Sequence, residues 1–235
     1  MQIVSNNVNF TGRCPAIKQG QWAVHCVNAY LPHQSAFRYG QHMDYYTFLY
    51  KINHKVEPNR SVTFPQKFLN VIPKNFKLND RIIGMSEEYL VHAKDSFQHA
   101  IAPIRQMLET HIGACHENAC AAESILRANG IAQPVIATLS YGNNTTRHVV
   151  CLFNRDGSKV EQIVPHKTVV VDPLFGIVDF LNNAEKTYRN IFSKCIETKK
   201  DKLNIKSVAE HRMTSDDIIR FKEQFPKFIQ TKRPD

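Results

Sequence analysis

The sequence has no apolar run near the ~20 residues that a bilayer-spanning helix needs, so no transmembrane segment is expected. Residues Met1 to Arg13 are rich in Asn and Gln and hold no continuous apolar stretch. No Sec-type signal peptide is therefore expected. An address read by a receptor, as in needle-type secretion systems, would leave no such mark. The expected location is the cytoplasm, or a host cytosol reached by secretion without a Sec signal. Six cysteines are present, but no Cys-x-x-Cys pair. In a long chain without a signal, free thiols in a reducing compartment are expected rather than a disulfide framework. No internal repeat is found, and 9 Gly and 11 Pro in 235 residues exclude collagen-like and low-complexity classes. There is one tryptophan, Trp22.

What is present is ordinary in bulk and uneven in placement. With 43% hydrophobic and 22% charged residues, the chain can bury a real core without staples. The net charge of +9 is not evenly spread. Residues 1–185 hold 17 Lys+Arg against 14 Asp+Glu, a balance of +3. Residues 186–235 hold 13 against 7, a balance of +6. Lys194, Lys199, Lys200, Lys202 and Lys206 are its densest part. Such a patch suits an acidic partner, an anionic membrane face or nucleic acid, or else a solvated connector. No aromatic residues interleave with these lysines, as a nucleic-acid stacking platform would want, so no nucleic acid is expected as partner.

Local patterns divide the chain into three parts. Residues 1–85 read as an irregular extension packing on the core, with Tyr45 to Tyr50 strand-like and Pro65 to Lys77 a loop or short helix. Residues 86–180 read as the core. Ser86 is a candidate N-cap with Glu87 and Glu88 behind it. Leu90, Ala93, Phe97, Ile101, Ile104 and Leu108 recur at helical spacing, with Pro103 expected to kink this helix or to start a second one. A further helix is predicted from Cys115, with Ala119, Ala122 and Leu126 on the same stripe and Gly130 as its stop. Three strands are predicted at Pro134 to Ser140, His148 to Phe153 and Lys167 to Val171. Their connections are too short for crossover helices, so they should pair antiparallel. Residues 181–235 read as a basic, mainly helical segment, with a clear helix from Ser215 to near Pro226. The layout is α+β.

One constellation in this core carries chemistry. Cys115 opens its helix after Gly113 and Ala114, where the positive helix end favours a thiolate. A nucleophile needs a base, and the base needs an orienting group. His148 starts a strand on the same face as Val150 and Leu152. Asp172 ends the next strand on the same face as Val170 and Thr168. Antiparallel pairing should make His148 and Asp172 cross-strand neighbours. If the sheet packs on the Cys115 helix, the three side chains converge in triad order.

These residues lie in four stretches: Gly113-Ala114-Cys115-His116-Glu117-Asn118-Ala119, Ser124-Ile125-Leu126-Arg127-Ala128-Asn129-Gly130-Ile131, Arg147-His148-Val149-Val150 and Val170-Val171-Asp172-Pro173. Together they resemble the core of the transglutaminase-like superfamily over about residues 100–178. The resemblance implies a papain-like fold, with the nucleophile helix packed on an antiparallel sheet. It implies Cys115 as nucleophile, His148 as base and Asp172 as orienter. The chain departs from the family in having Ala114 and His116, rather than an aromatic residue, beside the cysteine. It also carries a polar insertion from Asn154 to Lys167.

The expected function is acyl transfer on amide bonds of a protein substrate: glutamine deamidation, transglutamination or cysteine proteolysis. An effector that modifies a host protein is the type such a chain suits. An arylamine-acetyltransferase-like enzyme is a second acyl-transfer reading. A non-catalytic binding module on the same fold is a third. No cofactor and no metal are expected. A zinc reading would use Cys115, His116, Cys120 and His148, at spacings foreign to paired-ligand sites. His116 is a secondary catalytic candidate by position. The Cys115 N–H is one oxyanion donor on general grounds. Gln106 is a candidate for the second by residue type, although its pattern position puts it inside a helix.

Overall fold

A computed structural model describes residues 14–31, 89–110, 113–131, 133–141, 146–154, 159–193, 203–209 and 213–229. The expectations at Ser86, Tyr45 to Tyr50, Pro65 to Lys77 and at Lys194, Lys199, Lys200 and Lys202 lie outside the described residues. In chain order the elements are helices α1 (Pro15–Tyr30), α2 (Ser96–Thr110) and α3 (Cys115–Ala128). Strands β1 (Val135–Tyr141), β2 (Thr146–Phe153), β3 (Val169–Asp172) and β4 (Ile177–Phe180) follow. Helix α4 (Leu181–Ser193), strand β5 (Leu203–Ala209) and helix α5 (Ser215–Gln224) complete the order. The protein is α+β. Its five-stranded sheet has the order β4-β3-β2-β1-β5, and every neighbouring pair is antiparallel.

Helix α3 is fixed by its two ends. At the start, the Glu117 carboxylate accepts the Ala114 N–H at 2.8 Å, tying off an amide that the helix itself cannot use. At the finish, Gly130 takes φ +80°, a conformation that suits glycine. That turn lets the Ile131 N–H reach Leu126 O and the Gly130 N–H reach Arg127 O, which closes the helix. Between these ends Ala119, Ala121 and Ala122 are fully buried, so the helix backbone comes close to its neighbours.

The sheet is covered on both faces, which explains the unbroken Val169-Val170-Val171 run. Cys151, Phe153, Val169 and Val171 face a cluster built from α1, α2 and α3, closed by Phe221 and Phe228. Val150, Leu152 and Val170, with Val135, Ala137 and Leu139, face Leu181, Ala184 and Tyr188 of α4. Gly20 sets the spacing of α1 on the sheet. A Cβ there would lie 2.7 Å from Val178 Cγ1 and 3.0 Å from Val171 Cγ2.

One sequence expectation is corrected and others are refined. Residues 15–30 are not irregular but helical, started by Pro15 at the first helical position. Ala16, Ile17, Gly20, Ala23, Cys26 and Val27 form its buried stripe, one of small residues that gives a weak apolar signal. The helix expected from Ser86 has its start outside the described residues; residues 89–91 are helical, and after a break at 92–95 helix α2 begins at Ser96. Asp95 stops it from running back, because its carboxylate accepts the Gln98 N–H at 2.7 Å. Leu90 and Leu108 are accordingly exposed, whereas Phe97, Ile101 and Ile104 are buried. Pro103 lies inside continuous α2 and so starts no second helix. Finally, the C-terminal segment, expected to be mainly helical, also carries strand β5, which pairs with β1.

Candidate active site

Cys115 is the first residue of α3 and is half-buried. The Ala114 N–H before it is occupied by Glu117, so the Cys115 N–H is the next donor at the positive end of the helix. The neighbouring Ala114 carbonyl accepts from the Asn118 backbone N–H at 3.2 Å and from its side-chain amide at 2.7 Å. The nucleophile candidate thus stands on a turn held by Glu117 and Asn118, both buried.

His148, the third residue of β2, is 2% exposed. Its Nε2–H donates to Asp172 Oδ2 at 2.6 Å. The strand register pairs Cys151 with Val171 and Leu152 with Val170. Continued one step, it sets Asp172 opposite Val150. His148 is therefore the diagonal neighbour of Asp172 on the same face, within reach of a long side chain. The Cys115 side chain lies close enough to the same imidazole to act on it, by hydrogen bonding and by charge, in favour of its protonated form. With Nε2 given to Asp172, the ring nitrogen left to face the thiol is Nδ1. The three residues singled out from the sequence are brought together.

Asp172 is held from four directions. Oδ2 accepts from His148 and from the Tyr188 hydroxyl at 2.8 Å. Oδ1 accepts from the N–H groups of Leu174 at 3.0 Å and Phe175 at 3.2 Å, in the turn to β4. Aromatic rings close around the pair. Phe175 lies 4.9 Å from the His148 ring, centroid to centroid, and Tyr188 lies 5.5 Å from it. Burial works against the charged imidazole. The charge and hydrogen bond of Asp172, and then those of Cys115, outweigh it and raise the His148 pKa from 6.5 to about 10.

Tyr188, Phe175 and Glu117 were not singled out from the sequence. Tyr188 follows Leu181 and Ala184 at helical spacing and reads as core. Phe175 lies in a short turn after Asp172-Pro173 and carries no motif of its own. Glu117 sits three residues after Ala114, which cannot complete the usual Ser/Thr capping signature.

Among the described residues the other cysteines stand apart; Cys195 lies outside them. Burial pushes Cys26 up to about 12. Burial first, and then the charges of Glu123 and Glu117, raise Cys120 well above the usual thiol range. Cys151 is buried in the sheet, and Cys14 is exposed. His116 is exposed, with Nε2 3.5 Å from the Cys120 sulfur. His148 is engaged by Asp172, and no group of three or more metal-ligating side chains is gathered among the described residues. Gln106 is buried on α2, inside a helix as its position implied. No described helix is long and apolar enough to cross a membrane. In comparisons with known proteins, no family model, no curated protein and no solved structure matches the chain significantly.

Proposed function

We propose that the chain is a thiol-dependent acyl-transfer enzyme acting on amide bonds of a protein substrate, built on a transglutaminase-like, papain-like core. The observation that carries this reading is the buried His148–Asp172 hydrogen bond with Cys115, at a helix N-terminus, close enough to act on the same imidazole. The arrangement supplies each role such a reaction requires.

In the first half-reaction the Cys115 sulfur attacks the amide carbonyl and a C–S bond forms. His148 gives its proton to the departing nitrogen, the C–N bond breaks, and ammonia or an amine leaves. Negative charge on the carbonyl oxygen falls near the Cys115 N–H at the helix end. In the second half-reaction His148 takes a proton from water or from a substrate amine, which attacks the thioester. The C–S bond breaks and the thiolate is restored beside the imidazolium. Water as acceptor gives deamidation or proteolysis, and a lysine amine gives cross-linking. Asp172 keeps the Nε2–H tautomer in place throughout, so Nδ1 is the nitrogen that exchanges the proton. The basic C-terminal segment, rich in lysine, suits docking of an acidic protein substrate.

Two measurements test this. Intact-mass analysis of candidate protein substrates separates replacement of a side-chain amide by an acid from joining and from cleavage. Iodoacetamide should label Cys115 ahead of exposed Cys14 at pH 7, and His148→Ala should erase that preference. Equal labelling of Cys14 and Cys115 in the unaltered protein would sink the proposal. Acetyl transfer from acetyl-CoA to Cys115 would redirect it to an acetyltransferase.

A further inference from the structure

The C-terminal segment, which lies outside the resemblance, reaches into the site. Tyr188 of α4 is fully buried and donates its phenolic hydrogen to Asp172 Oδ2 at 2.8 Å. That is the oxygen which accepts the His148 Nε2–H. A buried phenol usually finds some partner, so one hydrogen bond alone would say little. Here the same side chain touches two of the three residues, because its ring also packs 5.5 Å from the imidazole. Phe175 completes the enclosure, 6.4 Å from Tyr188 and 4.9 Å from His148.

We infer that Tyr188 is a positioning residue of this site, holding the Asp172 carboxylate in place and moderating its pull on the His148 ring. The inference rests on the acyl-transfer reading. An oxygen that accepts two donors divides its negative charge between them. The phenolic hydrogen therefore weakens the hold of Asp172 on the imidazolium. This matters in the second half-reaction, where His148 must be neutral to take a proton. Without the hydroxyl, Asp172 acts on His148 alone, and the ring keeps its proton to higher pH.

The test reads His148 directly by NMR titration of its ring protons, alongside the pH profile of Cys115 alkylation by iodoacetamide. Tyr188→Phe keeps the ring and removes only the hydroxyl. One lost hydrogen bond should raise the His148 midpoint by about 0.5–1 pH unit, and the alkaline limb of the alkylation profile should move with it. Site-specific 3-fluorotyrosine at position 188 keeps the hydroxyl but donates more strongly, so it should lower the midpoint. A folded Tyr188→Phe protein with an unmoved or lowered midpoint overturns the inference. If that variant does not fold, the fluorotyrosine protein decides, and an unmoved midpoint there overturns it equally. His148→Gln is the control on the underlying reading. If it leaves the Cys115 alkylation profile unchanged, the acyl-transfer reading fails, and the role given to Tyr188 fails with it.

Discussion

Replacing Asp172 by asparagine preserves shape and removes charge, and the four hydrogen bonds around it dictate the outcome. The carboxylate accepts two donors on each oxygen. Asparagine has one accepting oxygen and one donating NH2. If its oxygen faced His148 and Tyr188, the NH2 would meet the N–H groups of Leu174 and Phe175. Two buried donors would then lack partners, at about 1–3 kcal/mol each. If the oxygen instead faces those two N–H groups, the NH2 faces His148 and Tyr188. Tyr188 can turn its hydroxyl and accept. His148 can accept only by moving its proton from Nε2 to Nδ1.

The second arrangement is the cheaper one, and it places an N–H where the thiol needs a base. Such a tautomer swap in a triad lowers turnover about 10⁴-fold. With the Asp172 charge gone, burial dominates and the His148 midpoint should drop below its ordinary 6.5. The hydrogen-bond part of the stability loss should stay within about 2 kcal/mol, since no backbone amide is orphaned, and the pH-dependent part that comes from the His148–Asp172 charge pairing is lost as well. Urea denaturation, NMR titration of His148 and Cys115 alkylation at pH 7 read the three effects. With no imidazolium beside the thiol to assist its attack, alkylation should fall about tenfold or more. An Asp172→Asn protein with His148 still protonated at pH 8 and Cys115 alkylated at an unchanged rate would refute the reasoning.

Further outcomes follow from the same geometry. Because the folded His148 midpoint lies near 10 against 6.5 unfolded, the folded chain binds the extra proton between those values. Its contribution is full below pH 6.5 and is lost as pH rises through 10, with a ceiling on the order of 5 kcal/mol; stability that instead climbs from pH 7 to 10 would contradict it. Gly20→Ala should destabilise by about 1–3 kcal/mol despite alanine's helix preference, because the added methyl meets Val178 and Val171 on the sheet. A higher urea midpoint for that variant would show that α1 does not sit so close. Phe175→Ala should admit water to the His148–Asp172 bond and broaden the downfield Nε2 proton resonance, and a signal as sharp as in the unaltered protein would count against the shielding role.

The parts of the fold legible in the sequence are those whose local pattern agrees with their surroundings. Helix α3 has its stripe and its glycine stop, and β1 to β3 are short β-branched runs between turn signals. Helix α1 was missed because its inner positions are small, as the close approach at Gly20 requires. Close packing and a strong apolar signal are opposing demands on one helix face. Strand β5 was missed for another reason. Its pairing slips between Thr138 and Leu139, where Ser207 and Ile205 are the successive partners. Lys206 is the extra residue and stands exposed. The bulge breaks the period of two, so Leu203, Ile205 and Val208 do not alternate strictly although all three pack on the core.

The three residues of the candidate site stand out in the sequence and the side chains that enclose them do not, and the sheet explains why. Cys115 belongs to a helix packed on the face that carries Cys151 and Val171. His148 and Asp172 alternate with the other face, where Val150 and Val170 meet α4. Side chains from opposite faces can meet only at the end of a sheet. Each of the three sits near such an end: the first residue of α3, the third of β2 and the last of β3. Reactive or charged residues at the ends of otherwise apolar faces are marked by type, which is why Cys, His and Asp stand out in the sequence. Tyr188 reaches the same place from the middle of a helix whose inner stripe it continues. A side chain whose ring is core and whose hydroxyl is site carries no mark beyond that of core, and only the hydrogen bond to Asp172 distinguishes it.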